Sequence, residues 1–194
     1  MYSQNDEEKT ITNYFGNKIG RFLEIGAYDG FAFSNTLKLV EIGWYGICIE
    51  PSDLPYKALV KRHGDNEKIK LINCAIGETT GEMHFYDSGG DATSTTEESH
   101  KNKFAKGTIF TEIYVPCISA EDLLKEHGRF HDFVSIDTEG TNVKTLKNLI
   151  NAGLDSSLIC VEHDNREEDI KNILLSYQII SRTGENIIAK RIGT

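Results

Sequence analysis

Apolar positions along this chain fall into short, dense runs separated by stretches with helical spacing, and the two patterns alternate from about residue 20 to the end. "RFLEIGA", "YGICIE", "IKLINCAIG", "DFVSID" and "SLICVEH" are rich in Ile, Val, Leu, Phe and Cys, and they read as strands buried on both faces. Between them, "SNTLKLVEI", "LPYKALVKRHG", "AEDLLKEHG" and "TNVKTLKNLINAG" read as helices. Ser34 and Ser119 precede two of them, and Gly43, Gly64, Gly128 and Gly153 close the four. In the last of these, Val143, Leu146 and Ile150 share a face.

"GEMHFYD" and "TEIYVPCIS" alternate, as more exposed strands do. Ile170, Ile173, Leu174 and Tyr177 recur at helical spacing, and "YQIISRTGENIIAKRI" closes the chain as two strands about a glycine-containing turn. Strands alternating with helices predict an α/β fold: a mostly parallel sheet with helices on both faces. The closing hairpin predicts one antiparallel strand, at an edge. Residues 1–19 are expected to form a polar, helical N-terminal extension. Residues 88–107, rich in Ser, Thr and Gly, are long for a loop and make a candidate lid over a ligand.

A length of 194 residues suits a single domain spanning 1–194. The net charge of -9, with no long basic stripe, argues against nucleic acid as partner. No apolar stretch reaches the roughly 18 residues that cross a bilayer. The polar, acidic start "MYSQNDEEKT" carries no targeting pattern, so a cytoplasmic location is expected. Cys48, Cys74, Cys117 and Cys160 are widely spaced, and the expectation is reduced structural thiols rather than disulfides or a zinc site.

In such sheets ligands bind outside the carboxyl ends of the strands. Those ends read Glu24–Gly26, Glu50–Ser52, Cys74–Gly77, Asp137–Gly140 and Glu162–Asn165. A single acid at such an end can merely cap a helix, whereas polar or small residues at all five point to a site. The turn after the first strand, "EIGAYDG", contains Asp29-Gly30, a common hairpin signal. The next segment is helical rather than a second alternating strand, so strand, glycine turn and helix is the better reading. Gly26 and Gly30 would let backbone approach a ligand. Glu50, 20 residues after Gly30, stands where nucleotide-binding sheets place an acid for the ribose hydroxyls. The turn lacks the second glycine of the dinucleotide fingerprint, and its strand carries an acid. Both features suit a cationic adenosine cofactor better than a pyrophosphate.

"LEIGAYDGFAFSNTLKLVEIGWYGICIEPS", "NCAIG", "FVSIDTEGTNVKTLKNL" and "ICVEHDN", in that order over roughly residues 20–165, resemble the FkbM-type family of S-adenosylmethionine-dependent methyltransferases. The resemblance implies a single-domain, Rossmann-like sheet of seven strands whose last strand is antiparallel. It implies S-adenosyl-L-methionine as cofactor, a turn made by Glu24, Gly26, Ala27, Asp29 and Gly30, and a ribose held by Glu50. Pro51, Ser52, Cys74 and Ala75 would flank the adenine, with Asp137 beside the methionine end. Ser135 and Asn142 depart from the lysine and glutamate common in the family, which bears on the acceptor rather than the cofactor.

Methyl transfer needs alignment and a group to take the acceptor's proton. His163, Asp137, Glu139 and Asp164 are the candidates, with His163 favoured by its near-neutral titration. Asp137, Asp164 and Asn165 also resemble the Mg²⁺ ligands of catechol-type O-methyltransferases. The chain lacks the Asn/Asp-Pro-Pro-aromatic motif of base-amino methyltransferases, so the expected acceptor is a hydroxyl on a sugar or small metabolite. Two readings compete: a nicotinamide-dependent oxidoreductase, and a non-catalytic binding module on the same fold.

Overall fold

The computed structural model describes residues 1–193. Helix α1 (Glu7–Phe15) precedes β1 (Arg21–Ile25), α2 (Leu37–Glu41), β2 (Tyr45–Ile49), α3 (Asp53–His63) and β3 (Ile69–Ile72). Then come β4 (Ala75–Gly77), β5 (Gly81–Asp87), α4 (Glu98–Phe104), β6 (Thr111–Ser119), α5 (Ala120–His127) and β7 (Phe130–Ile136). The chain ends with α6 (Asn142–Asn151), β8 (Asp155–Glu162), α7 (Glu167–Ile173), β9 (Tyr177–Arg182) and β10 (Asn186–Arg191).

Seven strands form the main sheet in the order β3-β2-β1-β7-β8-β10-β9. Strands β1, β2, β3, β7 and β8 are parallel, and β10 runs antiparallel to both of its neighbours. The antiparallel strand therefore lies one place in from the edge, not at it. The closing hairpin folds β10 back between β8 and β9, and the return leaves β9 outermost.

Period-two alternation sends side chains of each central strand to two separate cores. Leu23, Ile25, Val134, Ile136, Ile159 and Val161 pack under α5, α6 and α7 through Leu123, Leu146 and Ile170. Phe22, Cys48, Phe133, Leu158 and Cys160 face α1, α2 and α3 through Ile11, Phe15, Leu39 and Leu59. Helix α1, within the N-terminal extension, supplies core, with Ile11 fully buried.

Two further expectations change. "IKLINCAIG" is two strands, because the chain leaves the main sheet after Ile72 and Ala75–Gly77 pairs with β6 in a second, three-stranded sheet. Helix α7 stops at Ile173, and Tyr177 already opens β9. All four cysteines are buried and free. Among the described residues no helix is long and apolar enough to cross a membrane.

Candidate active site

Strands β1 and β7 are neighbours, yet the chain leaves them toward opposite sides of the sheet. That divergence opens a crevice at their carboxyl ends. A cavity of about 380 Å³ occupies it, bounded by residues from all five expected strand ends. Segment 88–107 forms the roof, through Thr93, Ser94, His100 and Phe104 among others, and α4 gives part of this segment a helical form that composition alone did not announce.

The glycine turn is built differently from the expectation. Gly26 and Ala27 both donate their N–H to Ile49 O at 3.0 Å, tying β1's end to β2. A Cβ on Gly26, where φ is +82°, would fall 1.6 Å from Asp137 O, and one on Gly30, at φ +70°, would meet Leu59 and His63. These glycines are required by the approach of protein to protein rather than by a ligand. Asp29 accepts from the N–H groups of Phe31 and Ala32 at 2.8 Å, shaping the turn. Gly26 and Ala27 border the cavity, whereas Asp29 and Gly30 do not.

Glu50 is buried with both carboxylate oxygens held by backbone. Tyr28 N–H donates to Oε2 at 2.9 Å and Ser52 N–H to Oε1 at 2.8 Å. Each oxygen retains a lone pair for another donor, an arrangement that fits two adjacent ribose hydroxyls. Burial pushes the carboxyl up to about 7. Pro51, Ser52, Cys74 and Ala75 stand beside it on the cavity wall. Deeper, Glu24 accepts from Thr36 Oγ1 at 2.8 Å, and burial likewise raises it to about 7. These donors and walls fit S-adenosylmethionine, with Glu50 for the ribose.

The opposite end of the cavity is acidic. Asn142, fully buried, donates from Nδ2 to Glu162 Oε2 at 2.7 Å and to Asp164 Oδ2 at 2.8 Å. Its Oδ1 accepts from Thr138 N–H and Thr138 Oγ1. Burial, then the neighbouring Glu139, raise Asp137 to about 7; burial and Asp137 raise Glu162 further. The neutral Asn142 amide thus bridges the two carboxylates. Among the described residues no group of three or more His, Cys, Asp or Glu side chains could hold a metal. The expected Mg²⁺ set of Asp137, Asp164 and Asn165 borders the cavity, but this geometry gives Mg²⁺ no support.

His163, 5% exposed, accepts the Asn165 N–H at Nδ1, 3.1 Å away. With Nδ1 accepting, the ring proton lies on Nε2, and His163 offers the cavity a donor. The sequence favours His163 as base, whereas this contact presents its ring to the cavity as a donor. Asn35 donates to Ser135 Oγ at 3.1 Å, leaving Oδ1 unpartnered. His100 of the roof brings Nε2 to 2.8 Å from Glu139 Oε2, out of line for a hydrogen bond, and Thr95 Oγ1 donates to Glu139 O at 2.6 Å.

Two independent features converge here. Of six buried side-chain polar atoms without a partner among the described residues, five belong to residues around this cavity: Asn35, Thr93, His100, Asp137 and His163. All five non-glycine residues with positive φ among the described residues also border it: Tyr28, Phe33, Glu139, Asp164 and Asn165. Unsatisfied groups and strained backbone both cost free energy, and both gather at functional sites. Sequence reasoning did not assign Tyr28, Asn35, Asn142, Glu162, Thr95 or His100 to the site. Glu162 and Asn142 were visible, one in a strand-end set and the other as a family departure. The roof segment was visible as a candidate lid, but without periodicity nothing singled out Thr95 or His100 within it.

Comparison with solved structures shows the same fold at low identity. "Putative methyltransferase yhhF" from Escherichia coli aligns over 99% of this chain and 88% of its own, with a TM-score of 0.58 and 14% identity. A protein of the NADB-Rossmann superfamily from Streptococcus agalactiae covers 97% and 69%, at 0.53 and 18%. The ribosomal protein L11 methylase from Lactobacillus delbrueckii subsp. bulgaricus covers 95% and 76%, at 0.50 and 13%. No curated protein matches the sequence. The methyltransferase FkbM domain matches residues 24–178, which takes in the glycine turn, Glu50, Asp137, Glu162 and Asp164. The chain belongs to the FkbM-domain family of S-adenosylmethionine-dependent methyltransferases.

Proposed function

We propose that this methyltransferase acts on a hydroxyl oxygen of a sugar or other small metabolite. The observation that carries the reading is a pair of unpartnered groups in one cavity: the His163 Nε2 donor and the Asp137 Oδ1 acceptor. A hydroxyl both accepts and donates, so it satisfies the two together. Bound S-adenosylmethionine supplies a methyl group activated by a sulfonium. Glu50 orients that cofactor through its ribose. His163 holds the acceptor oxygen, and Asp137 Oδ1 receives the hydroxyl proton. An acid raised to about 7 is matched to proton transfer near neutral pH. Segment 88–107, tied down through Thr95 on Glu139 O, acts as a lid that keeps water from the transfer.

The family match disfavours the nicotinamide reading, and the matched donor and acceptor disfavour a purely binding role. Calorimetric titration with S-adenosylhomocysteine, followed by an acceptor screen with S-adenosylmethionine and mass analysis of the products, tests the proposal. Methylated oxygen is the expected product. Methylation confined to amines would overturn the hydroxyl assignment, and cofactor binding without transfer to any acceptor would favour the binding module.

A further inference from the structure

The cavity that receives the acceptor is far from charge balance. Eight carboxyl groups border it, against one Lys or Arg, Lys103, whose Nζ lies over the Phe104 ring. The imbalance is sharpest at the acceptor end, where Asp137, Glu162, Asp164 and Glu185 form no ion pair among the described residues. Burial and their mutual repulsion raise Asp137 to about 7 and Glu162 to about 10, so the cluster holds protons at neutral pH that an arriving cation would displace. Asn142 neutralises nothing, and it binds just one oxygen of Glu162 and one of Asp164.

An acidic cluster alone identifies no ligand, but this one surrounds partners prepared for one. His163 lies between Glu162 and Asp164 in the chain, and it is buried with Nε2 unpartnered. Asn35 is buried with Oδ1 unpartnered across the same cavity. S-adenosylmethionine offsets part of the negative charge through its ammonium and sulfonium, while its own carboxylate adds to it. Two or more acids remain for the second substrate. An anionic acceptor would meet uncompensated repulsion there, and a neutral polyol would leave the acids unpaired.

Resting on the hydroxyl-methyltransferase reading, we propose that the acceptor carries an ammonium group beside its reactive hydroxyl. It is an amino sugar or amino alcohol, with the ammonium seated against Glu162, Asp164 and Glu185 and the hydroxyl at His163 and Asp137. Methylation stays on oxygen: the sulfur–carbon bond breaks as the oxygen–carbon bond forms, and the hydroxyl proton passes to Asp137. The protonated amine has no lone pair with which to compete. Charge recognition and atom selectivity thus have one cause.

The test is ligand-observed NMR on the full chain, with and without saturating S-adenosylhomocysteine, using matched hydroxyl compounds. Glucosamine is compared with glucose and glucose 6-phosphate, and ethanolamine with ethylene glycol. Each amine is expected to bind about tenfold or more tightly than its neutral twin, the gain of a charge-assisted hydrogen bond, with the phosphate weakest. Glu162→Gln and Glu185→Gln should each shrink that advantage. The second variant is the safer probe, since Asn142 holds the Glu162 carboxylate in place and no such hydrogen bond ties Glu185. Equal affinity for amines and their neutral twins in both forms of the protein, or preference for the phosphate, overturns the inference. S-adenosylhomocysteine binding with a flat amine series would sink this inference and leave the cofactor reading standing. Failure of S-adenosylhomocysteine to bind, with the amine preference intact, would overturn the methyltransferase reading and the acceptor role with it, leaving a cavity that binds amines.

Discussion

Replacing Glu50 with Ala separates what this carboxylate does for the cofactor from what it does for the fold. Each oxygen already holds one backbone N–H and has one lone pair left for a ribose hydroxyl. Hydrogen bonds to an ionised group contribute about 1.5–3 kcal/mol each, so losing two removes about 3–6 kcal/mol. That corresponds to a Kd for S-adenosylhomocysteine weaker by about 10² to 10⁴. The effect on stability is much smaller, because two terms oppose. Alanine leaves the Tyr28 and Ser52 N–H groups without their acceptor, at about 1–3 kcal/mol each when water does not replace it. It also removes a buried charge whose pKa has risen from 4.5 to about 7, which above pH 7 costs the fold on the order of 3 kcal/mol. The variant should therefore melt within a few degrees of the parent while binding far more weakly. Calorimetric titration and a thermal melt on the same samples check both halves. A Kd within fivefold of the parent, in a variant that melts normally, would refute the ribose assignment.

Other perturbations address the remaining parts. His163→Gln keeps a donor and should retain most of the rate that His163→Ala loses, about 10- to 100-fold, with an unshifted pH–rate profile. If Gln is as inactive as Ala and the profile's inflection disappears, His163 is the base after all. Exhaustive EDTA treatment should leave methyl transfer unchanged, and loss of activity restored by Mg²⁺ would contradict the reading of Asn142. Glu24 and Glu50 keep protons to about pH 7 in the folded chain but release them near pH 4.5 when unfolded. The folded state thus binds more protons between those values, so the contribution of these two acids to stability without cofactor should fall as pH rises from about 4.5 to 7, and Glu162, raised to about 10, extends the fall above pH 7. Urea titrations across that range give the sign. Thr95→Ala removes the hydrogen bond to Glu139 O, about 1 kcal/mol, and should speed protease cleavage within 88–107, with S-adenosylhomocysteine slowing it again.

Most of the fold could be read from the chain, because short apolar runs bounded by turn residues alternate with longer segments of helical spacing. Phe22 to Ile25 and Leu158 to Val161 show it, each sending alternate residues into two cores. What escaped was decided by tertiary context. Ile69–Ile72 and Ala75–Gly77 are equally apolar, so no local pattern reveals that the chain crosses from one sheet to the other at Asn73. Asn73 marks the crossing only in three dimensions, where its Nδ2 donates to Glu50 O and Pro51 O. The place of β10 inside the sheet was equally hidden, since a hairpin pattern does not say which of its two strands pairs inward.

The site was legible in its carboxylates and illegible in what governs them. Strand ends named Glu50, Asp137 and Asp164 because acids there have no packing reason to be present. The residues that set their chemistry look ordinary in sequence. Asn142 is a helix-opening asparagine, and Tyr28 contributes a backbone N–H that any residue could supply. His163 looks like the natural base until the Asn165 N–H is seen to occupy Nδ1. The left-handed backbone at Asp164 and Asn165, φ +46° and +60°, belongs to this group. Asp and Asn tolerate that conformation better than most residues, so the pair read as an ordinary turn. In the structure the turn reverses the chain at the end of β8, bringing the Asn165 N–H back onto the ring two residues earlier. The backbone that fixes the tautomer of His163 is the backbone that places Asp164 against Asn142. Donor and acid are therefore positioned by one local structure, and a substitution that relaxed it would disturb both together.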